Sequence, residues 1–140
     1  MTWLFYALMS ALFAALTAIL AKIGIKGVDS NLATAIRTIF IMFFAWGLVF
    51  YQNTYRQVSS LSKVSLVFLV LSAVATCLSW LFYFKALQIG DASKVAPVDK
   101  LSLVLTIILA GLFLKEKITV ATALGAALMT AGAIIIAVVK

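Results

Sequence analysis

Three charged residues fall inside long apolar stretches of this 140-residue sequence: Arg37, Asp99 and Lys100. A charge at the centre of a membrane helix costs about 2.5–3.5 kcal/mol, so such residues are candidates for binding a substrate or moving an ion. Asp99 is the most informative, because its short side chain cannot extend to the membrane surface as Lys and Arg side chains do. It suggests proton exchange or contact with a cationic group. A structural role, as an ion pair or beside a helix N-terminus, is the alternative for each.

Uncharged polar residues within the apolar stretches lie mainly three, four or seven positions apart. This spacing places them on one face of an α-helix. Hydroxyls that converge from several helices favour a solvated or substrate-filled cavity, and aromatic rings beside them accept cations and flat apolar molecules. The alternative is that Ser and Thr bond to the carbonyl four residues earlier or join helices. The candidate site residues besides the three charges are Ser10, Thr76, Ser79, Trp80, Tyr83, Ser102 and Thr106.

The composition indicates which elements must position these residues. Hydrophobic residues make up 66% of the chain and charged residues 11%, whereas about 25% of an average soluble chain is charged. A small soluble domain cannot bury so much apolar surface, but lipid solvates it. The net charge of +7 comes from scattered Lys and Arg beside the apolar stretches, which is typical of anchors at the lipid headgroups. We therefore predict a multi-pass protein of the cell (plasma) membrane with no nucleic-acid partner.

Five stretches reach the length of about 20 mainly apolar residues that a bilayer span requires. We predict a single all-α membrane domain over residues 1–140. Its five helices are predicted at residues 2–21, 32–51, 64–84, 95–114 and 118–139. Asp29, Ser30 and Asn31 offer an N-cap for the second helix. Pro97 is predicted in the first turn of the fourth helix, where its missing N–H costs nothing.

The residue inventory argues against an enzyme. The chain has no histidine, and Cys77 is its one cysteine. This removes His-based metal sites and the Ser/His and Cys/His nucleophile pairs. A carboxylate pair would require two copies of Asp99 to meet in a dimer. We expect no metal and no other cofactor.

A string of residues in the second half of the chain resembles a known family. Residues 80–97 read WLFYFKALQIGDASKVAP and residues 112–119 read LFLKEKIT, followed by Gly125 and Gly132. Together with Arg37 near the start of the second helix, this pattern is similar to the EamA domain of the drug/metabolite transporter superfamily. Lys115 stands where that pattern usually has glycine. The chain looks like a short, single-domain bacterial or archaeal member.

The resemblance implies one half of a ten-helix inverted-repeat transporter fold. It implies a secondary transporter, often an exporter, that moves a small metabolite or drug-like molecule by alternating access. The resemblance also supports the first, third and fourth helices as the walls of the cavity. Independently of the resemblance, the position of Asp99 inside a predicted span predicts that it couples transport to protons or to a cationic substrate. The alternative is a non-transporting scaffold, or a small subunit that pairs with another five-helix chain.

The distribution of basic residues bears on assembly. The predicted loops on the N-terminal side carry four Lys and Arg residues and those on the other side five. This near balance favours insertion in both orientations and an antiparallel homodimer, in which two copies rebuild the inverted pair. Counting Arg37 and Lys100 with the second side gives seven there, which favours one orientation and a partner chain of opposite bias. Gly125 and Gly132 allow close helix approach and are the predicted dimer contact.

Overall fold

The computed structural model describes residues 2–139, which form six α-helices and a 3₁₀ segment. The α-helices are α1 (Thr2–Gly24), α2 (Ser30–Tyr51), α3 (Lys63–Ile89), α4 (Ala92–Asp99), α5 (Leu101–Phe113) and α6 (Val120–Val138), and the 3₁₀ segment is Thr54–Ser60. Since α4 and α5 together make one apolar stretch, the described residues contain five helices long and apolar enough to cross a membrane. The predicted all-α membrane fold is confirmed. Lys140, one of the basic residues counted above, lies outside the described residues.

Few large side chains are buried by the described chain itself. Phe84 and Leu87 are fully buried, whereas Phe40, Phe44 and Phe82 are more than two thirds exposed. Each exposed phenylalanine would cost about 1.5–3 kcal/mol in water relative to a buried one. In hydrocarbon this cost disappears, because lipid tails are as apolar as the side chains. The outward faces of the helices are therefore suited to lipid or to another membrane helix.

The chain divides into two compact units. The central unit is Ala21–Gln88 and contains α2, the 3₁₀ segment and nearly all of α3. The terminal unit comprises the residues up to Leu20 and those from Ile89 onward. Within the terminal unit α6 packs against both α4 and α5, and its small residues Ala126 and Ala133 are buried.

The start of α2 follows from its cap. The carboxylate of Asp29 accepts hydrogen bonds from the backbone N–H groups of Asn31 and Leu32, at 2.9 and 3.1 Å. A cap of this kind contributes about 1 kcal/mol. The predicted N-cap is confirmed, and α2 begins at Ser30, two residues before the predicted start.

Pro97 corrects one expectation. Because α4 begins at Ala92, the proline lies inside the helix and not in its first turn. The polar residues that suggest a loop before position 95 instead form the start of α4. An interior proline removes one backbone N–H and costs about 3 kcal/mol. The helix is interrupted soon afterwards at Lys100, whose N–H is shared between the carbonyls of Ala96 and Pro97, at 3.3 and 3.2 Å.

The connection between α5 and α6 folds back onto α5. Lys115 has φ of +55°, in the left-handed region, and the N–H of Glu116 reaches the Ala110 carbonyl at 3.3 Å. A Cβ atom added at Gly111 would lie 2.7 Å from the Cδ1 atom of Ile118. Glycine at position 111 therefore permits this close approach. The hydroxyl of Thr119 then caps α6 by accepting from the N–H of Thr122 at 3.1 Å.

Candidate functional site

The central unit holds Arg37 against two aromatic rings. The Cζ atom of Arg37 lies 4.3 Å from the ring centroid of Phe84 and 5.5 Å from that of Trp80. Trp80 and Phe84 are four residues apart on α3, so one helical face presents both rings. Each contact of a guanidinium with an aromatic face is worth about 0.5–2 kcal/mol. Tyr83 extends the cluster, since its ring packs edge-on against Phe84 at 5.6 Å.

The rings position Arg37 but do not satisfy its hydrogen bonds. The Nη1 atom is buried and has no hydrogen-bond partner among the described residues. An unsatisfied buried donor costs about 1–3 kcal/mol, and more when the group is charged. The sole acidic residue of the central unit is Asp29, and its carboxylate is occupied at the start of α2. The central unit therefore orients a cation without neutralising it.

A groove lies between the two helices that carry this cluster. Its volume is about 390 Å³, within the range of about 300–1,000 Å³ typical of small-molecule sites. Its walls are mainly apolar, with threonine hydroxyls on the α2 side. The lining residues are Asn31, Thr34, Ala35, Thr38, Ile39, Met42, Cys77 and Leu81. The groove could accommodate a compact organic molecule with a mainly apolar body.

Two hydroxyls of the predicted stripes make hydrogen bonds within their own helices. Thr76 donates to the Ser72 carbonyl at 2.9 Å, and Thr106 donates to the Ser102 carbonyl at 2.8 Å. Thr34 and Thr38 in the groove do the same with the carbonyls four residues earlier. This is the arrangement that the structural alternative describes. The hydroxyl oxygens keep lone pairs that can accept a bond from a ligand.

Asp99 and Lys100 lie at the interruption between α4 and α5. The Nζ atom of Lys100 is 3.4 Å from the Oδ2 atom of Asp99, and the Asp99 side chain is 32% exposed. Ser102 and Thr106 belong to α5, beyond the interruption. The seven-residue spacing from Asp99 to Thr106 therefore crosses a break and does not follow one regular helix.

The predicted site residues are distributed over both units. The central unit brings together Arg37 and Trp80, with Tyr83 beside them on α3, which also carries Thr76 and Ser79. Ser10, Asp99, Lys100, Ser102 and Thr106 belong to the terminal unit. A common cavity of α1, α3 and the fourth span stays a prediction.

Phe84, which packs on Arg37, is not among the site residues predicted from the sequence. A phenylalanine in an apolar stretch looks like any lipid-facing residue, although its position one turn after Trp80 is a signal that could have found it.

Lys22 and Gln88 also have contacts that composition does not reveal. Lys22 donates through Nζ to the Leu87 carbonyl at 2.6 Å, and Gln88 donates through Nε2 to the Val28 carbonyl at 2.8 Å. Lys22 is half-buried, so it is more than a headgroup anchor. These two bonds tie the end of α1 and the connection between α1 and α2 to the end of α3.

The five apolar helices define a multi-pass membrane protein of the helical class. Comparison with known proteins is more specific. The chain belongs to the EamA-like transporter family, whose sequence model covers residues 1–138. The family predicted from the sequence and the multi-pass membrane location are confirmed, and family membership points to transport rather than catalysis.

Two curated relatives are similar to this chain. An uncharacterized transporter encoded in the cobO 3′ region of a Sinorhizobium species is 45% identical over 137 residues, which are 98% of this chain and 97% of that protein. An uncharacterized protein of Methanocaldococcus jannaschii is 30% identical over 84 residues, 60% of this chain and 61% of that protein. Both relatives are therefore about as long as this chain. No solved structure matches the chain significantly.

Proposed function

We propose that this chain is a secondary transporter that exports a small metabolite or drug-like molecule by alternating access, and that it is not an enzyme. The observation that carries the proposal is the groove of about 390 Å³ between α2 and α3, both of which are long and apolar enough to cross a membrane. A non-transporting scaffold would have no use for such a space. The size of the groove favours a compact substrate.

The working unit in this proposal is an antiparallel homodimer. Alternating access commonly uses two inverted units around one midplane site, and this chain supplies one five-helix unit. The Sinorhizobium relative matches this chain over nearly the whole of both, which supports a five-helix unit as the recurring building block. The near balance of basic residues between the two sides supports insertion in both orientations.

Asp99 is the proposed coupling residue. Its carboxylate lies 3.4 Å from the Lys100 ammonium, at the interruption between α4 and α5. Protonation of Asp99 would remove this attraction at the point where α4 passes into α5. Proton binding would therefore change the local stability of the interruption, and this would link proton movement to a change of conformation.

A flux measurement in proteoliposomes tests the proposal. Vesicles containing the purified protein are loaded with a metabolite mixture, and released compounds are identified by mass spectrometry with and without a pH gradient. We expect selective release that protein-free vesicles do not show. If the full-length protein releases nothing above those vesicles, the scaffold or subunit alternative is favoured.

A matched pair of variants links the flux to the groove. Ala35 lines the groove, so Ala35→Trp should fill it and reduce release at least about tenfold, which corresponds to about 1.4 kcal/mol. Ala127 is exposed on α6, and Ala127→Trp should leave release near the level of the unmodified protein. Equal effects of the two variants would indicate that transport does not depend on the groove.

A further inference from the structure

The surroundings of Arg37 bear on the chemical class of the substrate. The guanidinium is held between the Phe84 and Trp80 rings, at 4.3 and 5.5 Å, yet its buried Nη1 atom has no acceptor among the described residues. A membrane helix that keeps a charge without an ion-pair partner is unusual, because embedded charges ordinarily pair with one another or with carbonyls. The missing acceptor points to a group that the chain itself does not provide.

We infer that Arg37 binds an anionic group of the transported molecule, a carboxylate or a phosphate, so that the substrates are organic anions. This inference rests on the transport function proposed above and specifies the substrate class of the same site. A guanidinium presents a planar fork of N–H donors that matches carboxylate and phosphate oxygens. Rings on α3 that restrict the side chain keep this fork oriented before the anion arrives.

The acidic residues of the chain do not supply the acceptor. There are four of them. Asp29 caps α2 and Asp99 pairs with Lys100, and no carboxylate among the described residues bonds to the Nη1 atom of Arg37. The net charge of +7 also favours attraction of anions to the protein.

The groove offers the space for the rest of such a substrate. It runs between α2 and α3, the helices that carry Arg37 and the two rings, although none of these three residues lines it. A substrate with its apolar body in the groove must extend around α2 to bring its anionic end to the guanidinium. A cationic substrate is disfavoured, because the protein's own cation already occupies the faces of Trp80 and Phe84.

A lipid headgroup would provide the same chemistry. Arg37 is seven residues into α2, roughly 10 Å along the helix axis, and a long side chain at that depth can extend toward a phosphate. The experiment therefore needs one arm for transported anions and another for bound phospholipid.

The transport arm uses proteoliposomes loaded with equal amounts of small carboxylates, phosphate monoesters, amines and neutral amides. We expect the unmodified protein to release carboxylates or phosphate esters. Arg37→Gln should lower that release at least tenfold, and Arg37→Lys should lie between the two, because it keeps the charge and loses the fork. Arg56→Gln is the matched control, since Arg56 also lies over a ring, that of Tyr55 at 6.0 Å, but outside the cluster.

The outcomes separate the two proposals. Release of amines or amides alone, or release of anions at full rate by Arg37→Gln, overturns the inference while the transport function stands. Release of nothing by the unmodified protein overturns both. If Arg37→Gln fails to insert, Arg37→Lys decides, and full anion release by that variant counts against recognition by the guanidinium fork.

The lipid arm measures phospholipid that copurifies in a maltoside detergent, which contains no phosphate. We expect equal amounts with the unmodified protein, Arg37→Gln and Arg56→Gln. The inference is overturned if phospholipid is lost only from Arg37→Gln and the rate of release does not depend on the charge of the substrate. That result would indicate that Arg37 binds a lipid headgroup.

Discussion

Arg37 and Asp99 are both charged residues within apolar stretches, but their surroundings differ. Arg37 contacts rings that lie more than forty positions further along the chain, whereas Asp99 pairs with the next residue at 3.4 Å. The sequence indicates that both charges are embedded, because apolar residues flank them. It does not indicate which side chains surround them, because the relevant partners of Arg37 are ordinary aromatics of an apolar helix.

Replacement of Asp99 tests proton coupling. Asp99→Asn cannot gain or lose a proton and cannot form the ion pair with Lys100. We expect proton-driven transport to be lost while the protein inserts normally, as measured by flux over a series of pH values. Asp91→Asn is the control, because Asp91 also lies beside α4 but its side chain makes no capping bond. Full activity of Asp99→Asn with an unchanged pH profile would assign Asp99 a structural role.

Lys115 occupies a backbone conformation that favours glycine. Its φ of +55° costs a residue with a side chain roughly 1–2 kcal/mol. We expect Lys115→Gly to stabilise the protein by about 1 kcal/mol, a rise of about 3 °C in Tm, as measured by thermal unfolding in detergent. Lys117→Gly removes the same charge at a residue without positive φ, and it should bring no gain. Equal shifts in the two variants would attribute the effect to charge.

At the scale of helices, the sequence predicts that a helix is present more accurately than it predicts where the helix begins and ends. Any stretch of about 20 apolar residues must be helical in lipid, because every backbone N–H and C=O then finds a partner within the segment. The ends depend on local chemistry that hydropathy does not capture. The start of α4 at Ala92 places Pro97 inside the helix, and the interruption at Lys100 divides a span that is continuous in hydropathy.

Gly125 and Gly132 on α6 are the predicted contact between the two copies of the chain in the dimer. A Cβ atom added at Gly125 or Gly132 would meet nothing within 4 Å, so a larger side chain is tolerated by the described chain itself. We expect Gly125→Leu to weaken dimerisation about tenfold in detergent, measured by light scattering over a dilution series, because two helix backbones could no longer approach closely.

Ala127→Leu provides the control for this substitution. Ala127 is also exposed on α6. It lies two residues after Gly125, which places it on roughly the opposite side of the helix. Its enlargement should leave dimerisation unchanged. If dimers persist after Gly125 and Gly132 are both replaced by leucine, the interface lies on another helix.

At the scale of the whole molecule, composition predicts the class of protein, and the joined motif string predicts the family. Neither predicts the groove, which depends on how far apart the side chains hold α2 and α3. The hydroxyl spacing suggests a cavity among other helices, but such spacing also suits hydroxyls that bond to their own helix, as Thr76 and Thr106 do. Periodicity therefore identifies a face without identifying what fills the space beside it.

The proposed antiparallel arrangement predicts that each loop faces one side of the membrane in half of the molecules and the other side in the rest. In a Cys77→Ser background, one cysteine is introduced at Ser59, between α2 and α3, or at Asp91, between α3 and α4. Both positions are exposed, and consecutive loops lie on opposite sides. We expect an impermeant maleimide to label about half of each variant in intact cells, since near-balanced basic residues leave orientation undecided. Full labelling of one variant and none of the other would indicate a fixed orientation and a different partner chain.

The bonds from Lys22 to Leu87 and from Gln88 to Val28 join positions 65 and 60 residues apart along the chain. A ribosome adds about 5–20 residues per second, so the Val28 carbonyl exists for about 3–12 seconds before Gln88 is made. During that interval neither bond can form, so the end of α1 and the connection to α2 are not yet held by α3. Both bonds become possible only once the end of α3 has been synthesised.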